Sequence, residues 1–249
     1  MLFRSRLNKY LAGAGYCSRR AADRLIEAGR VCVDGREASL GTCVDEGQRV
    51  TVDGKEISPF VEPVLLLVYK PRGIVCTEQK KEKDNIIDYL GYDRRVTYVG
   101  RLDKDSEGLL VMTNAGDLIN KMMRAGNNHE KEYIVTVDRP VTEAFLEKMR
   151  GGVPILDTVT LPCKAEKRSK YTFDIILTQG LNRQIRRMCE ALGYRVTKLK
   201  RIRVMNLKID GIPYGAYREA TQEEMAELQR RVKTSSNAPA FQRGDRYGN

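Results

Sequence analysis

The feature that most limits the possible folds is a change of pattern near residue 60. Before it, apolar residues recur at helical spacing and two short alternating segments follow; after it, strand-like and helix-like segments alternate. The string SPFVEP, residues 58–63, holds two prolines and separates the two patterns. We therefore predict two domains, residues 5–62 and 63–233, and a disordered tail over residues 234–249 that is rich in Ser, Asn, Pro and Arg.

The first domain is predicted to contain two short helices followed by two hairpins. Leu7, Leu11 and Ala14 recur at helical spacing, and Ser18 can cap a second helix that ends at Gly29. The segments VCV-DG-REA and RVTV-DG-KEI each contain Asp-Gly, a dipeptide that tolerates the positive φ of tight hairpin turns. Strands therefore follow the helices.

Basic side chains are concentrated on the polar faces of these two helices: Arg6, Lys9, Arg19, Arg20 and Arg24. The whole chain carries 44 Lys and Arg against 33 Asp and Glu, a formal charge of +11. The simplest partner of such a chain is a polyanion, with nucleic acid as the first candidate. The alternative is an ordinary solvated basic face.

The second domain is predicted to alternate strands and helices. The predicted segments are strand 65–70, helix 84–90, strand 97–99, strand 108–113, helix 117–124, strand 132–138, helix 142–150, hairpin 159–178, helix 182–192 and strand 196–209. Asn182 is the expected N-cap of helix 182–192. Thr221 and Glu224 form a capping box for a last helix.

Several classes of protein are disfavoured by composition. The six cysteines form no C-x-x-C pair and His129 is the single histidine, so His-rich metal sites and Ser-His-Asp triads have little support. No run approaches the roughly 18 apolar residues of a membrane span, and the N-terminus lacks the pattern of a signal peptide. We expect a cytoplasmic protein with reduced thiols, and carboxylate chemistry becomes the leading hypothesis.

A dense charged loop supplies candidate carboxylates. The string YVGRLDKDSEGLLVMTN places Arg101, Asp103, Lys104, Asp105 and Glu107 between two apolar strands. Most such clusters are solvated loops. A carboxylate held at a strand end beside basic residues can also act as a nucleophile or a general base. Composition does not decide between these two interpretations.

Helix 182–192 and strand 132–138 supply candidate partners for that loop. Arg186 lies on the edge of the apolar stripe, about 100° around the helix from its neighbour at position 185. There it can bury its stem and reach a carboxylate, while Arg183 and Arg187 lie farther out, where they can contact phosphates. Tyr133 is either a core residue or an aromatic platform for a base. An ordinary basic surface is the alternative for the arginines.

Four segments resemble, in order, motifs of the RsuA-type pseudouridine synthases of bacteria, which include the RluB, RluE and RluF enzymes. They are KPRGIVCT (70–77), GRLDKDSEGLLVMTN (100–114), HEKEYIVTV (129–137) and LTQGLNRQIRRMCEALGY (177–194). Residues 6–35 resemble the small alpha-L RNA-binding domain of a ribosomal protein. The resemblance extends to about residue 232. Three strings are most similar to the RluF branch: RAGNNHEKEY, GVPIL and QGLNRQIRRMCE.

This resemblance implies an α+β fold in which the RNA-binding domain precedes a catalytic domain with a mixed, mainly antiparallel central sheet flanked by helices. It implies isomerisation of specific uridines to pseudouridine in ribosomal RNA, first of all large-subunit rRNA, by a monomer that uses neither a metal nor another cofactor. Two alternatives stay open: the same chemistry on tRNA or small-subunit rRNA, and a non-catalytic RNA-binding factor for ribosome assembly.

The resemblance also implies roles for individual residues. Asp103 is expected to be the catalytic carboxylate, Tyr133 to stack on the flipped uracil, and Arg186 to keep Asp103 ionised. Leu199 is expected to close the apolar pocket, and Arg101 to enter the gap that the flipped base leaves. Further RNA contacts are expected at Arg183, Lys70, Arg6, Lys9, Arg19 and Arg20. Leu181 stands where many members have a basic residue, a departure that concerns one RNA contact and not the catalytic machinery.

Overall fold

The structure is a computed structural model that describes residues 4–58, 62–79, 81–123, 128–233 and 235. The chain divides into two compact units. The first comprises Met1–Val64, Tyr92–Val96 and Asn114–Gly116, and the second comprises Leu65–Gly91, Thr97–Thr113 and Asp117–Asn249. Part of the predicted junction and, apart from residue 235, the predicted disordered tail lie outside the described residues. The domain bounds and the disorder of the tail remain predictions.

The first unit packs two short helices against small strands. Its helices are α1 (Leu7–Gly13) and α2 (Arg19–Glu27), and its strands are β1 (Arg4–Arg6), β2 (Val31–Val33), β3 (Arg36–Glu37), β4 (Cys43–Asp45), β5 (Val50–Val52) and β6 (Lys55–Glu56). Strands β3, β2, β5 and β6 form an antiparallel sheet in that order, and β1 pairs with β4.

Local signals in the sequence explain this unit. The Ser18 hydroxyl accepts a hydrogen bond of 3.2 Å from the amide of Ala21, which confirms the predicted cap of α2. Both Asp-Gly turns have positive φ at both residues, as the hairpin prediction required: 50° and 78° at Asp34 and Gly35, and 51° and 77° at Asp53 and Gly54.

The rest of the described chain alternates strands and helices. Its elements are β7 (Leu65–Lys70), α3 (Ile86–Leu90), β8 (Thr97–Val99), β9 (Glu107–Thr113), α4 (Gly116–Met123), β10 (Lys131–Val137), α5 (Glu143–Gly151), β11 (Pro154–Ile155), β12 (Thr158–Val159), β13 (Lys164–Ser169), β14 (Thr172–Leu177), α6 (Gln184–Ala191), β15 (Val196–Val204), β16 (Leu207–Lys208), β17 (Tyr217–Glu219) and α7 (Gln222–Val232). Thr221 and Glu224 form the predicted capping box of α7.

A nine-stranded sheet organises the second unit. Its main order is β13, β14, β10, β15, β9, β7, β17, with β16 paired to β15 and β8 paired to β9. Among its described strands, β9 and β15 pair in parallel and the other pairs are antiparallel. The sheet is therefore mixed and mainly antiparallel, as predicted, and the parallel pair joins its two halves.

Three predicted element boundaries were wrong. Helix α6 begins at Gln184, and its N-cap is Arg183 in the left-handed conformation rather than Asn182. The predicted strand 196–209 is broken after Val204 by a turn at Met205, whose φ is 54°. The predicted hairpin 159–178 starts too early, because β13 begins at Lys164 and Val159 belongs to β12. The second error has a simple cause, because the buried Met205 and Leu207 continue the apolar pattern through the turn.

Two apolar clusters form the core of the second unit. One joins Val135, Phe173 and Leu199 of the sheet to Ile185 and Met188 of α6. The other joins side chains of β7 and β9 to residues of α4 and α7. The first cluster fixes α6 against the sheet beside β15. Among the described residues, no helix has the length and apolar character that crossing a membrane requires.

Candidate active site

Asp103 lies in the segment between β8 and β9, at a cleft of the second unit. Its Oδ2 atom is 3.3 Å from Nη1 of Arg183 and 3.7 Å from Nε of Arg186. The Asp103 side chain is 32% exposed, whereas that of Arg186 is 9% exposed. The carboxylate is thus held by guanidinium groups on one side and open to the cleft on the other.

Arg186 is fixed by backbone and hydroxyl acceptors. Its Nη1 donates to the carbonyl of Val196, and its Nη2 donates to the carbonyl of Asp105 and to Oγ of Ser106, each at 3.3 Å. Burial, together with the nearby Arg183, lowers the pKa of Arg186. Within the described part of the chain its buried Nε has no hydrogen-bond partner. Because an unmade buried hydrogen bond is costly, closer approach of Asp103 to Nε is favourable.

The turn before α6 aims Arg183 at the cleft. Arg183 has a φ of 50°, a left-handed conformation that is uncommon for a residue with a side chain. Gln184 stabilises this turn, because its Oε1 accepts from the amide of Leu181 at 3.0 Å and its Nε2 donates to Oε1 of Gln179 at 3.3 Å. Such strain is common at functional sites, where the surrounding structure holds it in place.

Lys70 does not lie where the sequence suggested. It was expected to contact RNA, but its side chain is fully buried. Its Nζ donates to the carbonyl of Pro71 at 2.9 Å and to that of Ser106 at 2.8 Å, and burial lowers its pKa. A buried ammonium bound to carbonyls cannot reach a phosphate, so the prediction is wrong. Lys70 instead ties the end of the Asp103 loop to β7.

Two further bonds hold the same loop. The amide of Gly73 donates to the carbonyl of Lys104 at 2.8 Å. The amide of Leu102 donates to Sγ of Cys76 at 3.5 Å, and burial raises the pKa of that thiol. The segment KPRGIVC therefore contacts the backbone on both sides of Asp103 and fixes the carboxylate relative to the sheet.

Tyr133 and Leu199 form part of the apolar wall of the cleft. Leu199 of β15 pairs with Val135 of β10, so it faces the same side of the sheet as Tyr133, two residues before Val135. Leu177 and Ile185 line the wall beside them. Tyr133 is half-buried, with part of its ring open to the cleft. A flat apolar ligand can therefore lie against Tyr133 and Leu199.

The cleft brings together six of the residues predicted for the site: Asp103, Tyr133, Arg186, Arg101, Leu199 and Arg183. Arg101 is exposed at its edge. Leu181 also lines it and adds an apolar surface there. Four further residues belong to the first unit, where all are exposed: Arg6, Lys9, Arg19 and Arg20. The predicted RNA contacts of these four remain predictions.

Sequence reasoning missed the polar side chains that support this cleft. Ser106, Gln179 and Gln184 were not singled out, although two of them lie in the quoted string QGLNRQ. Gln184 is the first residue of α6, and its partners across the preceding turn cannot be read from spacing. No group of three or more His, Cys, Asp or Glu side chains placed to hold a metal ion occurs among the described residues.

Lys131 is a second buried lysine near the site, at the start of β10. It is 5% exposed, and its Nζ donates to the carbonyl of His129 at 3.3 Å. Burial, with a smaller effect of the cation of Arg201, lowers the pKa of Lys131 to about 8. The folded protein therefore holds this proton less tightly than the unfolded chain does.

Replacing Lys131 by Met is expected to stabilise the protein at pH 7 by roughly 2 kcal/mol. Above pH 10.5, the pKa of this lysine in the unfolded chain, Lys131 is neutral in both states and does not lower the free energy of unfolding. As pH falls through about 8, that advantage is lost, because the unfolded chain binds the proton more tightly than the folded protein does. The free energy of unfolding of the wild type should therefore rise between about pH 8 and 10.5, and that of Lys131→Met should rise less. Denaturant unfolding from pH 7 to 10.5 measures both effects. Lys198→Met, at an exposed lysine of β15, is the matched control, and a less stable Lys131→Met protein would contradict the prediction.

The second unit thus holds a cleft with an arginine-paired carboxylate on a mixed sheet, and a small basic unit precedes it in the chain. The chain belongs to the family described as RNA pseudouridylate synthase, whose model matches residues 64–191. The S4 domain model matches residues 5–50. The chain is therefore an RNA pseudouridine synthase with an N-terminal S4 domain. The family and the fold class predicted from the motifs are both confirmed.

Three relatives illustrate the similarity. The dual-specificity RNA pseudouridine synthase RluF of Salmonella typhi is 51% identical over 235 residues, which cover 94% of this chain and 81% of the relative. The ribosomal large subunit pseudouridine synthase B of Bacillus subtilis is 36% identical over 242 residues, 94% of this chain and 99% of the relative. A crystal structure of a pseudouridylate synthase matches with a TM-score of 0.66 at 26% identity, over 90% of this chain and 99% of that chain.

Proposed function

We propose that this enzyme isomerises specific uridines of ribosomal RNA, large-subunit rRNA first, with Asp103 as the catalytic carboxylate. The observation that carries the proposal is the position of Asp103, in one cleft with Arg186 and Tyr133. The names of the relatives support the substrate, because one refers to the large ribosomal subunit and another to dual specificity. A second RNA class, tRNA or small-subunit rRNA, is the alternative. We propose a monomer that works in the cytoplasm without a cofactor.

The reaction breaks the bond between C1′ of the ribose and N1 of uracil, turns the base, and joins C1′ to C5. The proton on C5 is then lost to solvent and N1 takes up a proton, so atoms and electrons balance without an oxidant or a donated group. Asp103 acts either by attacking the nucleoside or by removing a ribose proton to give a glycal. Both routes need an ionised carboxylate, and Arg183 and Arg186 lie beside it.

The cleft offers the uridine a place outside the RNA stack. Flipping a base costs a few kcal/mol, and contacts with the flipped base offset that cost. Tyr133 stacks on the uracil and Leu199 closes the apolar pocket around it, since both line the cleft. Arg101, exposed at the edge of the cleft, enters the gap that the base leaves.

Tritium release tests the function directly. RNA labelled at C5 of uridine is incubated with the protein, using transcripts of large-subunit rRNA, small-subunit rRNA and tRNA. Release from the large-subunit transcript is the expected result, with the modified position then mapped. Release confined to tRNA or to small-subunit rRNA would shift the proposal to that substrate. No release from any transcript, under conditions where the protein binds RNA, would favour a non-catalytic RNA-binding factor.

Arg186 provides a test of how Asp103 is held. Replacing Arg186 by Gln is expected to lower the single-turnover rate by about 100-fold, because misplacement of a reacting group by about 1 Å costs that much. RNA affinity should fall far less, and Arg186→Lys should recover part of the rate by restoring the charge. Arg187→Gln is the matched control, since the Arg187 guanidinium contacts Asn182 and not Asp103. Equal losses in both glutamine variants would contradict this role.

A further inference from the structure

The β11–β12 hairpin presents apolar side chains to solvent. Its two-residue turn is Leu156-Asp157. The side chains of Leu156, of Val159 in β12 and of Leu161, two residues after β12, are 46%, 57% and 46% accessible. Exposure of one such residue is common, but three within six positions concentrate apolar surface along this edge of the chain. Burial in the core accounts for none of the three.

The turn of this hairpin is also strained. Leu156 and Asp157 have φ values of 51° and 58°, as a two-residue hairpin turn requires, yet such turns normally carry Asn or Gly. Leucine pays a steric penalty in this conformation and gains nothing from burial at this position. A residue that is both strained and exposed suggests a role outside folding.

The base of the hairpin is rigid. Val153 and Ile155 are buried in the same cluster as Ile185 of α6. The Val153 amide donates to Oγ1 of the buried Thr160 at 2.9 Å, and the Thr160 amide donates to the Val153 carbonyl at 3.1 Å. Since the base is fixed in the core, the tip is held in one orientation relative to α6, the helix that carries Arg186.

The hairpin is joined to the wall of the cleft. The amide of Leu161 donates to Oε1 of Gln179 at 3.1 Å, and Gln179 lines the cleft with Asp103 and Tyr133. The end of the exposed edge at Leu161 is therefore in direct contact with a residue that lines the cleft.

We propose that this hairpin is an RNA-contacting wedge whose Leu156, Val159 and Leu161 pack on unstacked bases beside the flipped uridine. The inference rests on the proposed function of the cleft. Apolar side chains on a rigid element can insert between bases or cover the face of an unstacked one. Asp157 at the tip repels phosphates but can accept a hydrogen bond from a base amino group, which favours contact with bases over contact with the backbone.

RNA fits this edge better than a protein partner does. A stable protein interface buries roughly 800 Å² on each side and involves 20 to 30 residues, far more than this hairpin offers. The chain carries a formal charge of +11, and Arg183 at the same cleft is exposed. A few apolar contacts at the border of a basic cleft are sufficient to bind the face of a base that is already unstacked.

The Leu156→Asn variant separates the backbone strain of the turn from the apolar contact that its exposed side chain is proposed to make. Asn tolerates the left-handed conformation, so the melting temperature is expected to rise by about 2 °C. Loss of the apolar contact is expected to weaken binding of the large-subunit rRNA transcript by about 5- to 10-fold. Val159→Thr, which keeps the shape of the side chain, should weaken binding by about threefold. Tyr171→Asn removes an exposed side chain at the β13–β14 turn and should change neither quantity.

The affinities are measured by filter binding in the otherwise intact protein and again with Asp103→Asn, so the result does not depend on turnover. Weaker binding by Leu156→Asn and Val159→Thr, with normal or higher stability, supports the wedge. RNA affinity that is unchanged in both variants overturns the wedge. The same result is expected if the apolar edge contacts a protein instead of RNA. If Leu156→Asn fails to fold, Val159→Thr decides. Tritium release by the wild type tests the proposed function separately. If the wild type releases tritium and both variants bind RNA with wild-type affinity, the wedge is contradicted and the proposed function is not.

Discussion

Replacement of Asp103 by Asn is expected to reduce tritium release by more than about 10³-fold, because an amide is neither a nucleophile nor a base at neutral pH. The fold should be preserved, since the side chain is 32% exposed and Asn keeps an oxygen acceptor for Arg183. RNA affinity should stay within about twofold of wild type, because the contacts with phosphates and flanking bases are untouched. Single-turnover release with enzyme in excess, together with filter binding, measures both.

Asp105→Asn is the matched control for this variant. Asp105 lies two residues away in the same loop and its side chain is exposed; its backbone carbonyl, which accepts from Arg186, is unchanged by the substitution. The control should retain most of the wild-type rate. Comparable losses in the two variants would indicate that the loop as a whole, and not the Asp103 carboxylate, is what turnover requires. Near-normal release by Asp103→Asn would remove Asp103 from the chemistry.

Gly108→Ala is expected to destabilise the protein by roughly 2–4 kcal/mol and to lower turnover as well. Gly108 has a φ of 110°, and a Cβ atom there would lie 2.2 Å from the carbonyl oxygen and 2.6 Å from the amide nitrogen of Arg201. These are backbone atoms of β15 in the parallel pair with β9, so no side chain can move aside. The two halves of the sheet would separate locally, and the Asp103 loop that leads into β9 would shift with them.

Denaturant unfolding and single-turnover rates measure the two effects of Gly108→Ala. Gly151→Ala is the matched control, because Gly151 ends α5, has open space around it and has no positive φ. It should leave the enzyme equally stable or slightly more so, since Ala favours helix over Gly by up to about 1 kcal/mol. A Gly108→Ala protein as stable as wild type would mean that β9 and β15 can part without cost.

The Asp103 loop is held from several directions. Lys70 ties its end to β7, and Cys76 accepts from the amide just before Asp103. Arg186 contacts both the loop backbone and, at 3.7 Å, the carboxylate. Preorganisation of this kind would keep Asp103 in place during the proposed reaction.

Local pattern was sufficient for much of the fold. The Asp-Gly turns at Asp34 and Asp53, the cap at Ser18 and the capping box at Thr221 depend on neighbours within four residues, so the sequence predicted them correctly. Strand and helix order in the second unit followed from apolar periodicity. The turn at Met205 was missed because buried residues continue on both sides of it.

The features that the sequence determined depend on residues close together in the chain, whereas those that the tertiary structure decided depend on residues far apart in it. The sequence by itself determined the family, the order of the elements and the identity of the charged loop, because motifs and periodicity are local. Only the tertiary structure decided that Lys70 is buried behind that loop and that Arg183 adopts a left-handed turn. It alone joined the apolar hairpin at Leu156 to the wall of the cleft through Gln179. Each of these depends on partners far along the chain, which the packing of the sheet brings together.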